Sequence, residues 1–137
     1  MSMSFDLYRE IILDHYKNPR NKGTLKAPDA KWRENNPLCG DVLEMQLKIS
    51  KDKKLEDIKF SGDGCAISLS SASILTEMVK GKPLDEILKI DKKKLLGELG
   101  IDPGPSRIKC ALLSLKVLKM AVYSYLGKEI DRETKDL

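Results

Sequence analysis

Three cysteines and one aspartate are the residues of this chain whose types and settings can do chemistry. In Gly62-Asp63-Gly64-Cys65-Ala66-Ile67-Ser68-Leu69-Ser70-Ser71-Ala72-Ser73 a strand-like run ends in two glycines, a cysteine follows, and a helix of small residues begins. A thiol there meets unpaired backbone N–H groups and the positive end of the helix dipole. Both favour the thiolate, the form of cysteine that binds metal or attacks sulfur. Cys110 has a similar setting, because Pro103-Gly104-Pro105 leads stiffly to Ser106, a predicted N-cap, which puts Cys110 in or just past the first turn of the next helix. Cys39 lies at a strand start in Cys39-Gly40-Asp41, with a carboxylate two positions on. Three thiolates and a carboxylate are four anionic ligands, the number that tetrahedral zinc or the outer coordination of a two-iron, two-sulfur cluster requires. The intervals of 26 and 45 residues between cysteines do not follow the paired short spacings of a zinc finger.

Each residue has a plainer alternative. A cysteine among aliphatics is commonly a small buried hydrophobe, and Asp41 could simply end a turn. His15, the one histidine, sits on a helix beside Tyr16 and reads as a surface or packing residue rather than a ligand. Arg107 and Lys109 oppose the dipole of the helix they begin, which an anionic site nearby would offset. The alternative is that both reach into solvent, where the penalty is screened.

The elements that must position these residues can be read from periodicity. Residues 5–16 carry Leu7, Tyr8, Ile11, Ile12 and Tyr16 at helical spacing, with Ser4 as the predicted cap and Asn18-Pro19 as the stop. Residues 15–23 form a polar turn-rich run, and an irregular stretch continues to Asn35-Asn36-Pro37. Val42, Leu43, Met45, Leu47 and Ile49 alternate with polar residues, and residues 55–60 repeat the pattern after Lys51-Asp52-Lys53-Lys54, which predicts a β-hairpin. The helix from Cys65 runs to about Lys80. Its small residues allow close approach of another backbone, or merely form a polar outer side. A short helix opens at Pro83, another spans residues 92–99 with Gly97 and Gly100 as breaks, and the last runs from Arg107 to about Leu126. The final ten residues are mostly charged and are expected to fray.

With 137 residues, 41% hydrophobic and 34% charged, the chain reads as one domain, residues 1–137, of a globular protein. No apolar run approaches the ~18 residues of a membrane span, and no secretory pattern opens the chain, so the expectation is a cytoplasmic protein without membrane contact. An odd number of cysteines in a reducing compartment favours metal or thiol chemistry over disulfides. The net charge of +4 comes from 25 basic and 21 acidic residues interspersed, and seven aromatics offer little for base stacking, so nucleic acid is not an expected partner.

Four blocks, in order, resemble the IscU/SufU iron–sulfur cluster scaffolds, also found as the N-terminal domain of NifU. They are the His15-Tyr16-Lys17-Asn18-Pro19-Arg20-Asn21-Lys22-Gly23 run, Cys39-Gly40-Asp41, the stretch from Gly62 to Ser73, and Arg107-Ile108-Lys109-Cys110-Ala111. The resemblance covers nearly the whole chain. It implies an α+β fold with a small antiparallel sheet of about three strands packed against helices and a long C-terminal helix. It also implies three cysteines at one end, with an aspartate that makes a bound cluster labile. Those roles fall on Cys39, Asp41, Cys65 and Cys110, as ligands of a transient [2Fe–2S] cluster, of iron or of zinc, and the three cysteines are candidate sulfur acceptors. The implied function is a scaffold without enzymatic activity that takes sulfur from a cysteine desulfurase and hands a cluster to apo iron–sulfur proteins, with a homodimer about the cluster as one form. The alternative is a SufU-like zinc-dependent sulfur acceptor, a sulfurtransferase. Many IscU-type members have histidine before the third cysteine, in a segment read by a dedicated Hsp70 chaperone. This chain has Gly104-Pro105-Ser106-Arg107-Ile108-Lys109 there, so neither histidine ligation nor chaperone recognition carries over. SufU-type members usually hold an insertion between the second and third cysteines for which the 44 residues here are too few.

Overall fold

The computed structural model describes residues 2–37, 40–100, 103–105 and 107–137, and of residues 2–8 the backbone alone. The order of elements is α1 (Ser2–Lys17), β1 (Ala30–Asn36), β2 (Asp41–Ile49), β3 (Leu55–Asp63), α2 (Ala66–Val79), α3 (Leu84–Leu88), α4 (Lys92–Leu99), α5 (Ile108–Leu126) and α6 (Arg132–Lys135). The strands form one antiparallel sheet in the order β1-β2-β3, and α5 lies across β1 and β2 while α2 packs between α1 and α5. This is the α+β architecture with a long C-terminal helix that the resemblance implies. No helix among the described residues is long and apolar enough to cross a membrane.

Alternation in β2 puts Leu43, Met45, Leu47 and Ile49 on one face, where they meet Leu55, Ile58 and Phe60 of β3 and Leu115, Leu118 and Val122 of α5, all buried. Register fixes the rest. Val42 pairs with Asp63 and Asn36 with Asp41, so the start of β2 lies beside the ends of both neighbouring strands. On the solvent side the chain between α1 and β1 crosses the sheet. Gly23 N–H donates to Phe60 O at 2.8 Å, Leu25 N–H to Gln46 Oε1 at 2.7 Å and Asp29 N–H to Leu47 O at 2.8 Å.

The small residues of α2 serve close approach and are not a polar outer side. Ser68, Ser70, Ser71, Ala72 and Ser73 are all fully buried, and three of the hydroxyls tie α2 to its neighbours. Ser70 Oγ donates to Ile12 O of α1 at 2.6 Å, and Ser71 Oγ to Ala111 O of α5 at 2.6 Å, with Ser114 Oγ 3.1 Å away. Ser73 Oγ accepts Arg20 N–H at 2.8 Å and lies 2.7 Å from His15 Nδ1. Short hydroxyls reach a neighbouring backbone only when the helices nearly touch, so this seam sets the spacing of α1, α2 and α5.

The structure departs from the sequence reading at four places. The irregular stretch before Asn36 contains β1, an edge strand whose inner positions include only Ala30 and Trp32 as apolar residues, too few to show a strand period. Ser4 stands inside α1, which begins at Ser2. Gly97 is tolerated within α4, and only Gly100, at φ 73, ends it. The last residues do not fray. Asp131 caps α6 by accepting Thr134 N–H at 2.8 Å, Thr134 is fully buried, and Leu137 packs against the core. The predicted cap Ser106 lies outside the described residues.

Two expectations follow for stability. Gly62 has φ +134, and a Cβ there would sit 1.9 Å from Val42 O, a backbone atom that cannot move aside. Gly62→Ala is expected to cost about 3 kcal/mol or more, and chemical denaturation that finds less than ~1 kcal/mol would contradict it. Burial, then the charge of Arg20, holds the His15 pKa below its ordinary 6.5, against the opposing pull of Glu77 and Asp14. A depressed folded-state pKa means that the unfolded chain binds the proton more readily, so acidification below pH 6.5 is expected to lower stability. Melting followed from pH 7 to 5 should show that loss, and it should be smaller in His15→Gln.

Candidate metal centre

The two-residue link from β3 to α2 is what brings Cys65 to Asp41. Asp41 opens β2 and lies beside the end of β3, and Asp63-Gly64-Cys65 turns straight into α2 with Cys65 as its N-cap. Asp41 Oδ1 accepts the Cys65 backbone N–H at 3.0 Å, so the carboxylate occupies one of the unpaired donors at the helix start. Its other oxygen, Oδ2, lies 3.7 Å from Cys65 Sγ and accepts the thiol proton. Gly64 permits this approach: a Cβ there would stand 3.0 Å from Asp41 Oδ1 and 3.2 Å from Ser68 Cβ.

Cys110 arrives from the other side. It is the third residue of α5, and the neighbouring Ala111 carries the carbonyl that Ser71 grips, so the serine seam delivers the thiol to the Cys65 corner. Ligand atoms of Asp41, Cys65 and Cys110 all lie within 4.8 Å of one another. Asp41 and Cys110 are buried, at 2% and 1% exposure, while Cys65 is half-buried, so the group opens to solvent on the Cys65 side. Cys39, the fourth predicted ligand, lies outside the described residues. His15 is buried among α1 and α2, bonded to Ser73, and is a packing residue as its setting suggested.

The donor set suits a soft-to-borderline cation. At ~2.3 Å for sulfur and ~2.0 Å for oxygen, neighbouring ligand atoms in a tetrahedral zinc site stand roughly 3.5–3.8 Å apart. The Cys65 Sγ to Asp41 Oδ2 distance of 3.7 Å already falls in that range, and the widest separation of 4.8 Å exceeds it by a small side-chain adjustment. In their ionised, metal-binding forms three such groups repel one another at this distance. Arg107, the residue before α5, reaches both thiols: the Cys110 hydrogen bond, then the charges of Cys65 and Cys110, raise its pKa above the ordinary value. Of the two cations noted in the sequence, Arg107 therefore faces the thiols, and Lys109 does not, because its Nζ donates to Asp136 O at the end of α6. Sequence reasoning missed Asn36, whose Nδ2 lies 4.0 Å from Cys110 Sγ. The signal available was its place in Asn35-Asn36-Pro37, read only as the end of an irregular stretch.

A family model described as the NifU-like N terminal domain matches residues 7–132. The zinc-dependent sulfurtransferase SufU of Bacillus subtilis is 42% identical over 133 residues, covering 85% of this chain and 89% of that protein. The iron-sulfur cluster assembly scaffold protein IscU of Aquifex aeolicus is 40% identical over 128 residues, covering 93% and 80%. Of this chain's 137 residues, 93% is about 127, so the 128-position IscU alignment opens almost no gap in this chain; 85% is about 116, so in 133 positions SufU has roughly 17 that this chain lacks. The crystal structure of a NifU-like protein N-terminal region from Brucella abortus superposes with a TM-score of 0.75 at 21% identity, over 90% of this chain and 97% of that one, a likeness of fold. The chain belongs to the NifU-like N-terminal domain family.

Proposed function

We propose that this chain is an iron–sulfur cluster assembly scaffold, on which sulfur from a cysteine desulfurase and iron are joined into a [2Fe–2S] cluster for transfer to apo-proteins. The observation that carries this reading is the grouping of Asp41, Cys65 and Cys110 within 4.8 Å, open on one side. Cys39, from the connection that leads into Asp41, completes the proposed ligand set. The match to an IscU, which opens almost no gap in this chain, favours the scaffold.

A scaffold must hold its cargo without keeping it. Thiolates bind iron and sulfide tightly, whereas a carboxylate is a harder ligand that exchanges with water more readily, so one aspartate among cysteines makes the cluster transferable. In this reading the half-buried Cys65, as its thiolate, receives the sulfur. It attacks the outer sulfur of the desulfurase persulfide, a new S–S bond forms at Cys65, and the desulfurase cysteine leaves as a thiolate. Arg107 draws the incoming anionic sulfur toward the pair and offsets the charge it adds.

The second reading is a zinc-dependent sulfur acceptor, favoured by the match to SufU and by a donor set whose edges suit tetrahedral zinc. In it zinc is resident, held by Cys39, Asp41, Cys65 and Cys110, where it keeps the thiols deprotonated. Metal and acid-labile sulfide analysis of anaerobically purified protein separates the two. Iron with sulfide, or a cluster reconstituted and passed to an apo-ferredoxin, supports the scaffold; stoichiometric zinc that iron does not displace, with strong stimulation of the desulfurase, supports the acceptor.

Two substitutions probe the chemistry. Asp41→Ala is expected to leave a reconstituted cluster longer-lived and about tenfold slower to transfer, as read by its visible absorbance; faster loss than in the parent would contradict the labilising role. Arg107→Ala is expected to slow persulfide formation on the scaffold by about tenfold while Arg107→Lys retains part of the rate, measured by mass spectrometry of the trapped persulfide. Equal rates for all three proteins would remove Arg107 from the site.

A further inference from the structure

The inner face of β1 ends in a buried amide. Asn36 is 8% exposed, while Asn35 beside it faces solvent, so strand alternation turns Asn36 toward the helices. A buried amide is costly unless it is hydrogen-bonded. The Asn36 Nδ2 donates toward Cys110 Sγ at 4.0 Å. Its backbone is engaged in the same corner. The Asn36 carbonyl accepts Gly40 N–H at 2.8 Å, closing the connection between β1 and β2, and Asn36 is the register partner of Asp41. One residue thus joins the strand that carries Asp41, the connection leading into that strand, and the helix that carries Cys110.

An amide N–H has little to gain from a neutral thiol. Toward a thiolate or a persulfide anion the bond becomes charge-assisted and roughly twice as strong. Arg107 supplies charge from an exposed position, where water and salt weaken it. Asn36 supplies a neutral donor from a shielded position whose direction the sheet fixes. Such a bond withdraws electron density from the sulfur it meets, which tunes how strongly that sulfur donates to a metal.

From this arrangement we infer that Asn36 is a positioning residue, hydrogen-bonded to the Cys110 sulfur and holding it in register with Asp41. The inference rests on the reading of Asp41, Cys65 and Cys110 as a ligand set, and extends it to a residue that ligates nothing. Asn36→Leu keeps nearly the volume and the strand position without a donor. Asn36→Asp keeps the shape, replaces the donor by an acceptor and sets a second carboxylate opposite Asp41.

Cobalt(II) alone is the probe, added to the metal-free full chain and read by its sulfur-to-cobalt charge-transfer absorption, with zinc affinity measured by chelator competition. Loss of the N–H···S bond leaves a more electron-rich sulfur, so the charge-transfer band of Asn36→Leu is expected at longer wavelength. Zinc affinity should fall about tenfold in Asn36→Leu, with the melting temperature of the metal-free protein little changed. Bands and affinities equal to the parent's overturn the inference while leaving the ligand set standing. Weaker binding with an unshifted band, or variants that both fail to fold, assign Asn36 to the fold and also overturn it. A parent that binds neither cobalt nor zinc overturns the ligand set itself, and the role of Asn36 with it.

Discussion

The contact on which the site depends is the hydroxyl of Ser71 against the carbonyl of Ala111. A buried hydroxyl without a partner costs about 1–3 kcal/mol, so the seam has a strongly preferred register, and Cys110 is one residue from its anchor. Larger side chains on α2 would satisfy the core equally well as apolar bulk, yet they would push α5 outward and carry Cys110 away from Cys65. The helix is built of serine and alanine because the distance between two thiols is set by the distance between two helices.

Around the sulfurs the fold accumulates unfavourable charge and then arranges partners for it. Two unit charges near 4.8 Å apart repel by about 3–4 kcal/mol at an effective dielectric of ~20, and the proposed site holds three such groups. The starts of α2 and α5, the Cys65 N–H, Arg107 and Asn36 each offset a part of this. A divalent cation bound among them would offset more of it than any of these does. With its ligands ionised, a site of this kind favours a positively charged guest.

Legibility in the sequence followed the strength of local signals. Cys65 could be placed at a helix start because Gly62 and Gly64 punctuate the chain there, and Asp41 could be paired with the cysteines because it lies two residues from Cys39. β2 and β3 announced themselves by alternation. β1 did not, since an edge strand half in water needs few apolar residues, and the α6 segment was hidden because its order comes from Thr134 and Leu137 docking at a distance, not from local preference. The same holds for the site. Arg107 and Lys109 look alike in sequence, and only the tertiary position of Asp136 decides which one faces the thiols. Asn36 carries no local mark of its role, because its partner is 74 residues away.

The sheet has two unlike edges. Beside β3, the backbone of Lys22 bridges to Phe60 and Gly23 N–H bonds to the same residue, so that edge is partly closed by the chain itself. Along β1 no described strand pairs on the outer side. An open edge invites strand addition from other molecules, and β1 counters it by being only seven residues long and by exposing Lys31 and Arg33. The charged, weakly apolar composition that hid this strand from periodicity is thus also its protection: a sequence that looks least like a strand is the one best suited to bordering water without polymerising.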